Sequence, residues 1–136
     1  MTVVLFACIH NAGRSQMAAA FFNHIAAADR ARAISAGTSP GPAVHPEVIR
    51  AMAEVHIDLS SVQPQRLTPA LAASVQLLIT MGCGEVCPEL PGLRRADWPL
   101  DDPKGQPVER VRQIRDEVER RIRRLVADEG WATPAT

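Results

Sequence analysis

The sequence contains no tyrosine, only one lysine and no apolar run that approaches the length of a membrane span. A spanning helix needs about 20 consecutive apolar residues, so we expect no membrane-embedded segment. The formal net charge is +0, which gives no reason to expect nucleic acid or an anionic membrane as a partner. The first residues also lack the charged region and cleavage site of a signal peptide, and we therefore expect a cytoplasmic protein.

Cysteine is scarce as well, because Cys8, Cys83 and Cys87 are the only three in the chain. Structural disulfides are rare in proteins that are not exported, and an odd number cannot pair completely. We therefore expect reactive or metal-binding thiols rather than a disulfide framework.

The chain also has no internal repeat and no linker long enough to divide it. Its 136 residues are enough for one domain of ordinary size. The content is 46% hydrophobic and 22% charged, which is typical of a globular protein. We expect a single domain over residues 1–136.

Hydrophobic periodicity predicts strands and helices in alternation. The predicted strands are 3–7, 31–36, 75–80 and 95–98; the predicted helices are 15–28, one from Pro46, a short one from Thr68-Pro69 and a long one from Val108 to Val126. Alternation of this kind favours an α/β fold with a parallel sheet and helices on both faces. Sites in such folds lie beyond the carboxyl ends of the strands.

The segment Cys8-Ile-His-Asn-Ala-Gly-Arg-Ser15 joins the first predicted strand to the first predicted helix. Backbone N–H groups of such a loop converge on an anion, and the helix adds its own free N–H groups. Asn11 and Gly13 suit the tight backbone, and Arg14 offers a planar fork to a tetrahedral oxyanion. The same surroundings favour a thiolate at Cys8, to which Ser15 can donate a hydrogen bond. The pattern indicates a nucleophile within an oxyanion cradle; a buried structural cysteine is the competing interpretation.

Cys83 and Cys87 lie four residues apart, just after the third predicted strand. On a helical turn, such a spacing places both thiols on one face, at a separation compatible with a disulfide. Half of a zinc site is a second interpretation, although no closely spaced Cys/His pair completes it. Two inert cysteines are a third.

Several motifs together resemble a known family. Cys-x5-Arg-Ser after the first strand is the signature of the low-molecular-weight tyrosine phosphatase fold, and the chain is similar to the arsenate reductases on that fold. The motifs that carry the second likeness are Arg14-Ser-Gln-Met-Ala18, Ser35-Ala-Gly-Thr38, Val44-His-Pro46, Ile57-Asp-Leu-Ser60 and Asp101-Asp-Pro103. The resemblance implies a single-domain α/β fold with a four-stranded parallel sheet flanked by helices.

The resemblance also implies a reaction and its residues. Cys8 attacks arsenate, which Arg14 and the loop from Ile9 through His10, Asn11, Ala12 and Gly13 to Ser15 bind. Asp102 acts as general acid, with Asp101 as the alternative, and His10 has no catalytic role. Cys83 and Cys87 relay a disulfide to a thioredoxin-type reductant. Phosphate and sulfate compete with arsenate, and no cofactor or metal is required.

Functions other than arsenate reduction stay open. A tyrosine phosphatase is the first alternative, although Lys104 stands where phosphotyrosine-specific relatives usually carry tyrosine, which weighs against it. A further alternative is an enzyme in which a small thiol such as mycothiol or glutathione resolves the Cys8 adduct, and a non-catalytic arsenic- or metal-binding protein is another.

Two single residues also depart from the family pattern. Ala19 replaces an acidic residue that helps to bind potassium in some relatives, so we expect no such cation. His56 occupies a helix-end position where glycine is usual, and we expect this departure to affect local stability more than function.

Overall fold

The computed structural model describes residues 1–82 and 92–133. Its elements are β1 (Thr2–Cys8), α1 (Arg14–Ile25), β2 (Ala31–Gly37), α2 (Pro46–Ala53), α3 (Pro69–Ala72), β3 (Leu77–Thr80), β4 (Arg94–Asp97) and α4 (Val108–Glu129). Within these ranges the strands form one parallel sheet in the order β2-β1-β3-β4. The predicted α/β fold class is confirmed. No helix of the described part is long and apolar enough to cross a bilayer.

The central strand β1 contributes to two cores, one on each face of the sheet. Side chains alternate between the faces of a strand. Val4, Phe6 and Cys8 accordingly belong to the larger core, which α1, α2 and α4 cover. The other face of β1 packs in a smaller core against Leu71 of α3 and the preceding Leu67. A strand that is buried on both faces reads as the continuous apolar run seen in the sequence.

Helix α1 is shorter than predicted, because it ends at Ile25 rather than at Ala28. The alanines that follow favour helix, but Ala26 is extended and forms an antiparallel bridge with Ala132. The N–H of Ala27 donates to the carbonyl of Trp131 at 2.8 Å. Hydrogen bonds to the end of the chain therefore replace those of a further helical turn.

Other helix ends follow their local sequence. Thr68 precedes α3 and its hydroxyl accepts a hydrogen bond from the N–H of Leu71, as the predicted cap requires. After α2 the chain reverses at His56, whose φ of 67° lies in the left-handed region. The N–H of Ile57 donates to the carbonyl of Met52 in this turn, which is the bond of a Schellman motif.

Strand order reverses at β1, because β2 lies on one side of it and β3 on the other. The chain leaves β1 at Cys8 and enters α1 at Arg14. The carboxyl end of a strand at such a point opens into a crevice between the helices on either side. The fold thus places Cys8 and the N-terminus of α1 at the usual binding position of an open α/β sheet.

Candidate active site

Cys8 lies at the floor of the anion loop, the name used below for residues 8–15. The residue is only 3% exposed, and its Sγ atom lies 2.8 Å from the hydroxyl of Ser15. The backbone N–H of Asn11 donates to the same sulfur at 3.3 Å. Two groups of the loop therefore point at the thiol, as expected for a loop that stabilises negative charge there.

The orientation of the Asn11 amide determines which way the Ser15 hydroxyl points. The backbone N–H of Gln65 donates to Asn11 Oδ1 at 3.0 Å, so this atom is the acceptor. Asn11 Nδ2 then donates to Ser15 Oγ at 2.8 Å. Because Ser15 accepts from Asn11, its single proton is available to Cys8.

The carbonyl oxygens of residues 8–13 all accept hydrogen bonds from outside the loop. Four of the donors are backbone N–H groups of the segment that follows β2: Thr38 bonds to Cys8, Ser39 to Ile9, Gly41 to His10 and His45 to Ala12, at 2.8 to 3.2 Å. The other two lie in α1, where the side-chain amide of Gln16 bonds to the carbonyl of Asn11 and the backbone N–H of Met17 to that of Gly13, both at 3.0 Å. We call residues 38–45 the clamp segment, since four of these donors lie within it.

This arrangement directs the N–H groups of the loop inward. In a trans peptide, the C=O and the following N–H point in opposite directions. Outward carbonyls from Cys8 to Gly13 therefore turn the N–H groups from Ile9 to Arg14 towards the space above the thiol. The bond from Asn11 N–H to the sulfur is one direct example. Helix α1, which has no acidic residue in its first turn, adds the positive end of its dipole.

Arg14 lies beside this space and is buried at 8% exposure. Its Nη1 donates to the carbonyl oxygen of Leu100 at 2.7 Å, and its Nη2 lies 4.0 Å from Asp102 Oδ2. The guanidinium is therefore held between the anion loop and the acid loop, as we name residues 100–104.

The structure distinguishes between the two aspartates of the acid loop. Asp102 lines the cleft above Cys8 and its carboxylate accepts from the backbone N–H of Lys104 at 3.0 Å. Asp101 instead forms an ion pair with Arg110 in the first turn of α4. Asp102 thus lines the cleft, whereas Asp101 ties the loop to α4.

Two histidines border the cleft. His10 is exposed and its Nδ1 lies 3.1 Å from the carbonyl oxygen of Ser39. His45 also lines the cleft with Cys8, Gly13 and Asp102.

Cys83 and Cys87, the other two predicted thiols, lie outside the described residues. In the described ranges, no three His, Cys, Asp or Glu side chains are grouped to hold a metal ion.

Sequence reasoning missed the groups that support the loop from behind. Gln16 and Gln65 both bond to Asn11, and His45 contributes its backbone N–H and a wall of the cleft. Most of these contacts use backbone atoms, which leave no signal in residue type. The glutamine directly after Arg14-Ser15 was the one sign in residue type.

Comparison with known proteins agrees with this geometry. The model of the low molecular weight phosphotyrosine protein phosphatase family matches residues 3–130. The chain belongs to this family. The resemblance inferred from the motifs is thereby confirmed.

Relatives within the family carry more specific names. A putative arsenate reductase from Halobacterium salinarum is 38% identical over 121 residues, which cover 86% of this chain and 85% of the relative. The structure of a thioredoxin-dependent arsenate reductase from Corynebacterium glutamicum is 38% identical with a TM-score of 0.80; the match covers 94% of this chain but 61% of that longer one. An arsenate reductase in its phosphate-binding state is 32% identical, with a TM-score of 0.80 and coverage of 94% and 98%.

Proposed function

We propose that this protein is an arsenate reductase in which Cys8 is the nucleophile. The observation that carries the proposal is the buried Cys8 thiol, which has Asn11 N–H and Ser15 Oγ at 3.3 and 2.8 Å and lies in a cleft lined by Arg14 and Asp102. A tetrahedral oxyanion in this cleft meets inward N–H groups, a guanidinium and a carboxyl group together. Relatives named arsenate reductases support arsenate as the oxyanion.

The first chemical step forms a bond between Cys8 Sγ and arsenic. The thiolate supplies the electron pair, and one hydroxyl group of arsenate leaves as water. The carboxyl group of Asp102 supplies the second proton of that water. The N–H groups of the anion loop and Arg14 hold the remaining oxygens, where negative charge accumulates.

The second step reduces arsenic. The Cys83 thiolate attacks Cys8 Sγ, a Cys8–Cys83 disulfide forms, and the S–As electron pair stays on arsenic, which leaves as arsenite. Two thiols have then been oxidised while arsenic gains two electrons. Attack by Cys87 on Cys83 frees Cys8 and leaves a Cys83–Cys87 disulfide. A thioredoxin-type protein reduces this bond by thiol exchange.

The partners proposed here are therefore arsenate, a thioredoxin-type reductant, and phosphate or sulfate as competing oxyanions. The phosphate-bound and thioredoxin-dependent relatives support two of these. A cytoplasmic location suits chemistry that needs reduced thiols.

Turnover of arsenate with thioredoxin and thioredoxin reductase tests the proposal, in parallel with turnover using glutathione or mycothiol. We expect steady turnover with thioredoxin only. Cys83→Ser is expected to stop at the Cys8 adduct, whereas Cys87→Ser releases one arsenite and accumulates a Cys8–Cys83 disulfide. Mass spectrometry of trapped single-turnover products distinguishes these species. Full activity of the Cys83→Ser, Cys87→Ser double variant with a small thiol would replace the relay by thiol transfer.

Phosphatase activity is the second candidate, and the family itself favours it. The cleft above Cys8 offers the same donors to phosphate as to arsenate, and water can complete the turnover after attack. Hydrolysis of a small aryl phosphate by the wild type but not by Cys8→Ser would establish it as a side activity. Phosphatase turnover in the absence of arsenate reduction would make it the main one.

A further inference from the structure

The motif Ser35-Ala-Gly-Thr38 supplies no side chain to the chemistry above, yet its glycine lies directly behind the anion loop. Gly37 ends β2 and pairs in register with Cys8. A β-carbon on Gly37 would lie 2.6 Å from the carbonyl oxygen of Ile9 and 3.0 Å from the backbone nitrogen of Asn11. Both distances are shorter than ordinary contacts of a side chain, so the close approach of β2 to the loop requires glycine.

Gly37 is also linked to the loop indirectly, through backbone hydrogen bonds to residues 65 and 67. Its N–H donates to the carbonyl of Gln65 and its own carbonyl accepts from Leu67, both at 2.9 Å. This pairing holds the backbone of Gln65 in place, and the N–H of Gln65 donates to Asn11 Oδ1. Gly37 is therefore in contact with the loop directly and supports Asn11 through Gln65.

We propose that Gly37 is a positioning residue, whose missing side chain lets β2 hold the Ile9–Asn11 peptides in the anion-binding orientation before an oxyanion arrives. The inference rests on the proposed function only in that the loop binds a tetrahedral oxyanion. It concerns how the N–H donors are aligned, and it holds for phosphate as well as for arsenate.

The substitution Gly37→Ala tests this position. The new β-carbon must displace Ile9 or Asn11, because the colliding atoms are backbone atoms. Misaligning one or two hydrogen bonds to a charged ligand weakens binding by about ten- to a hundredfold. Arg32→Lys is the control. It changes an exposed side chain on the same strand, outside the loop and the clamp segment, and keeps its charge.

Calorimetric titration with inorganic phosphate gives the affinity of the folded proteins directly. We expect the Kd for phosphate to rise about ten- to a hundredfold in Gly37→Ala and to stay within about twofold in Arg32→Lys. The KM for arsenate should rise with the Kd, while kcat changes less. Unchanged phosphate affinity in a folded Gly37→Ala protein would overturn the proposal. Absence of phosphate and arsenate binding in the wild type would instead overturn the proposed function.

Amide hydrogen exchange of the wild type provides a test that does not depend on the variant folding. If the loop is held before the anion arrives, the N–H groups of Gly37, Thr38 and Gln65 are protected without phosphate, and phosphate adds little protection. Fast exchange of these groups that slows only with phosphate would mean that the anion itself orders the loop, and the proposal would be wrong.

Discussion

The anion loop and the acid loop face each other across the same cleft but are held in very different ways. Asn11 and Ser15 of the anion loop are completely buried, and hydrogen bonds from outside hold every carbonyl from residue 8 to residue 13. The acid loop is exposed at Asp101 and Asp102. It contacts the anion loop where Pro103 packs closely on Gly13 and where Leu100 accepts from Arg14.

The difference corresponds to two chemical tasks. Donors that stabilise charge are most effective when they are already aligned, because no reorganisation is then needed during the reaction. A proton donor must instead exchange protons with water between turnovers, and the half-exposed carboxyl of Asp102, the proposed acid, can do so. Damage to the donors of the anion loop should therefore affect anion binding and turnover together, whereas damage to the acid loop should affect turnover alone.

The largest expected effect is that of Cys8→Ser, which separates binding from chemistry within the anion loop. Serine nearly preserves the shape of the floor but is a far weaker nucleophile, so arsenate reduction should fall by about 10⁴-fold or more. Phosphate affinity and the melting temperature should change little. Residual turnover above a few percent in this variant would show that Cys8 is not the nucleophile.

Arg14→Lys should be the next most damaging change. A lysine keeps the charge but cannot offer two parallel donors or bond to Leu100 in the same geometry. We expect kcat/KM for arsenate to fall by about a hundredfold and phosphate affinity to fall with it. Arg123→Lys, which alters a surface pair with Glu119, is the control and should be near the wild type. If both variants had the same kcat/KM and phosphate affinity, only the positive charge of Arg14, and not the geometry of its guanidinium, would matter.

Asp102→Asn tests the acid loop. Loss of the proton donor should slow formation of the arsenate adduct by about a hundredfold in a rapid-quench measurement. Phosphate should bind as well as before or better, because a negative charge is removed from the cleft. Asp101→Asn loses only the anchor to Arg110 and should slow the step by about threefold or less. A larger loss in Asp101→Asn would transfer the acid role to Asp101.

The same contrast explains what could be read from the sequence. Cys8, Arg14 and Asp102 could be proposed from the sequence because a thiol, a guanidinium and a carboxyl group are properties of side chains, and the structure brings the three to one cleft. The strands and helices followed from apolar periodicity, and α1 was misjudged only where backbone bonds to Trp131 end it. The clamp segment and Gln65 were not predictable as supports, because their contacts to the loop are made by backbone N–H groups that nearly every residue type possesses.

Glu54 joins α2 to α4 through ion pairs, and its lowered pKa predicts how the stability of the fold depends on pH. It follows α2, which begins beside the clamp segment, and it pairs with Arg112 and Arg115 of α4, the helix whose Arg110 anchors Asp101. Hydrogen bonds from Arg112 and then Arg115 lower the pKa of Glu54 from 4.5 to about 2. Since the folded pKa is the lower one, this stabilisation is present above pH 4.5 and is lost as the pH falls towards 2.

Thermal melts of the wild type and Glu54→Gln across this range check the prediction. The wild type should melt at a higher temperature at pH 6, and the difference should shrink as the pH approaches 2.5. Because the group is exposed, the difference should also shrink at high salt. A difference that is independent of pH would mean that glutamine disturbs packing rather than an ion pair.

The smallest effect should come from His56→Gly, a substitution outside the site. Asn11 and His56 are the two non-glycine residues with positive φ in the described ranges, at 52° and 67°. Asn11 is held there by bonds to Ser15, Gln16 and Gln65, whereas the turn at His56 is closed by backbone bonds alone. Glycine at His56 should therefore relieve strain and stabilise the fold by about 0.5–1 kcal/mol, with unchanged activity.

Asn11→Gly should relieve similar strain yet lower both stability and phosphate affinity, because it removes the side-chain hydrogen bonds of Asn11 to Ser15, Gln16 and Gln65. Denaturant titrations of both variants decide the matter, and stabilisation by both would show that the bonds of Asn11 contribute nothing.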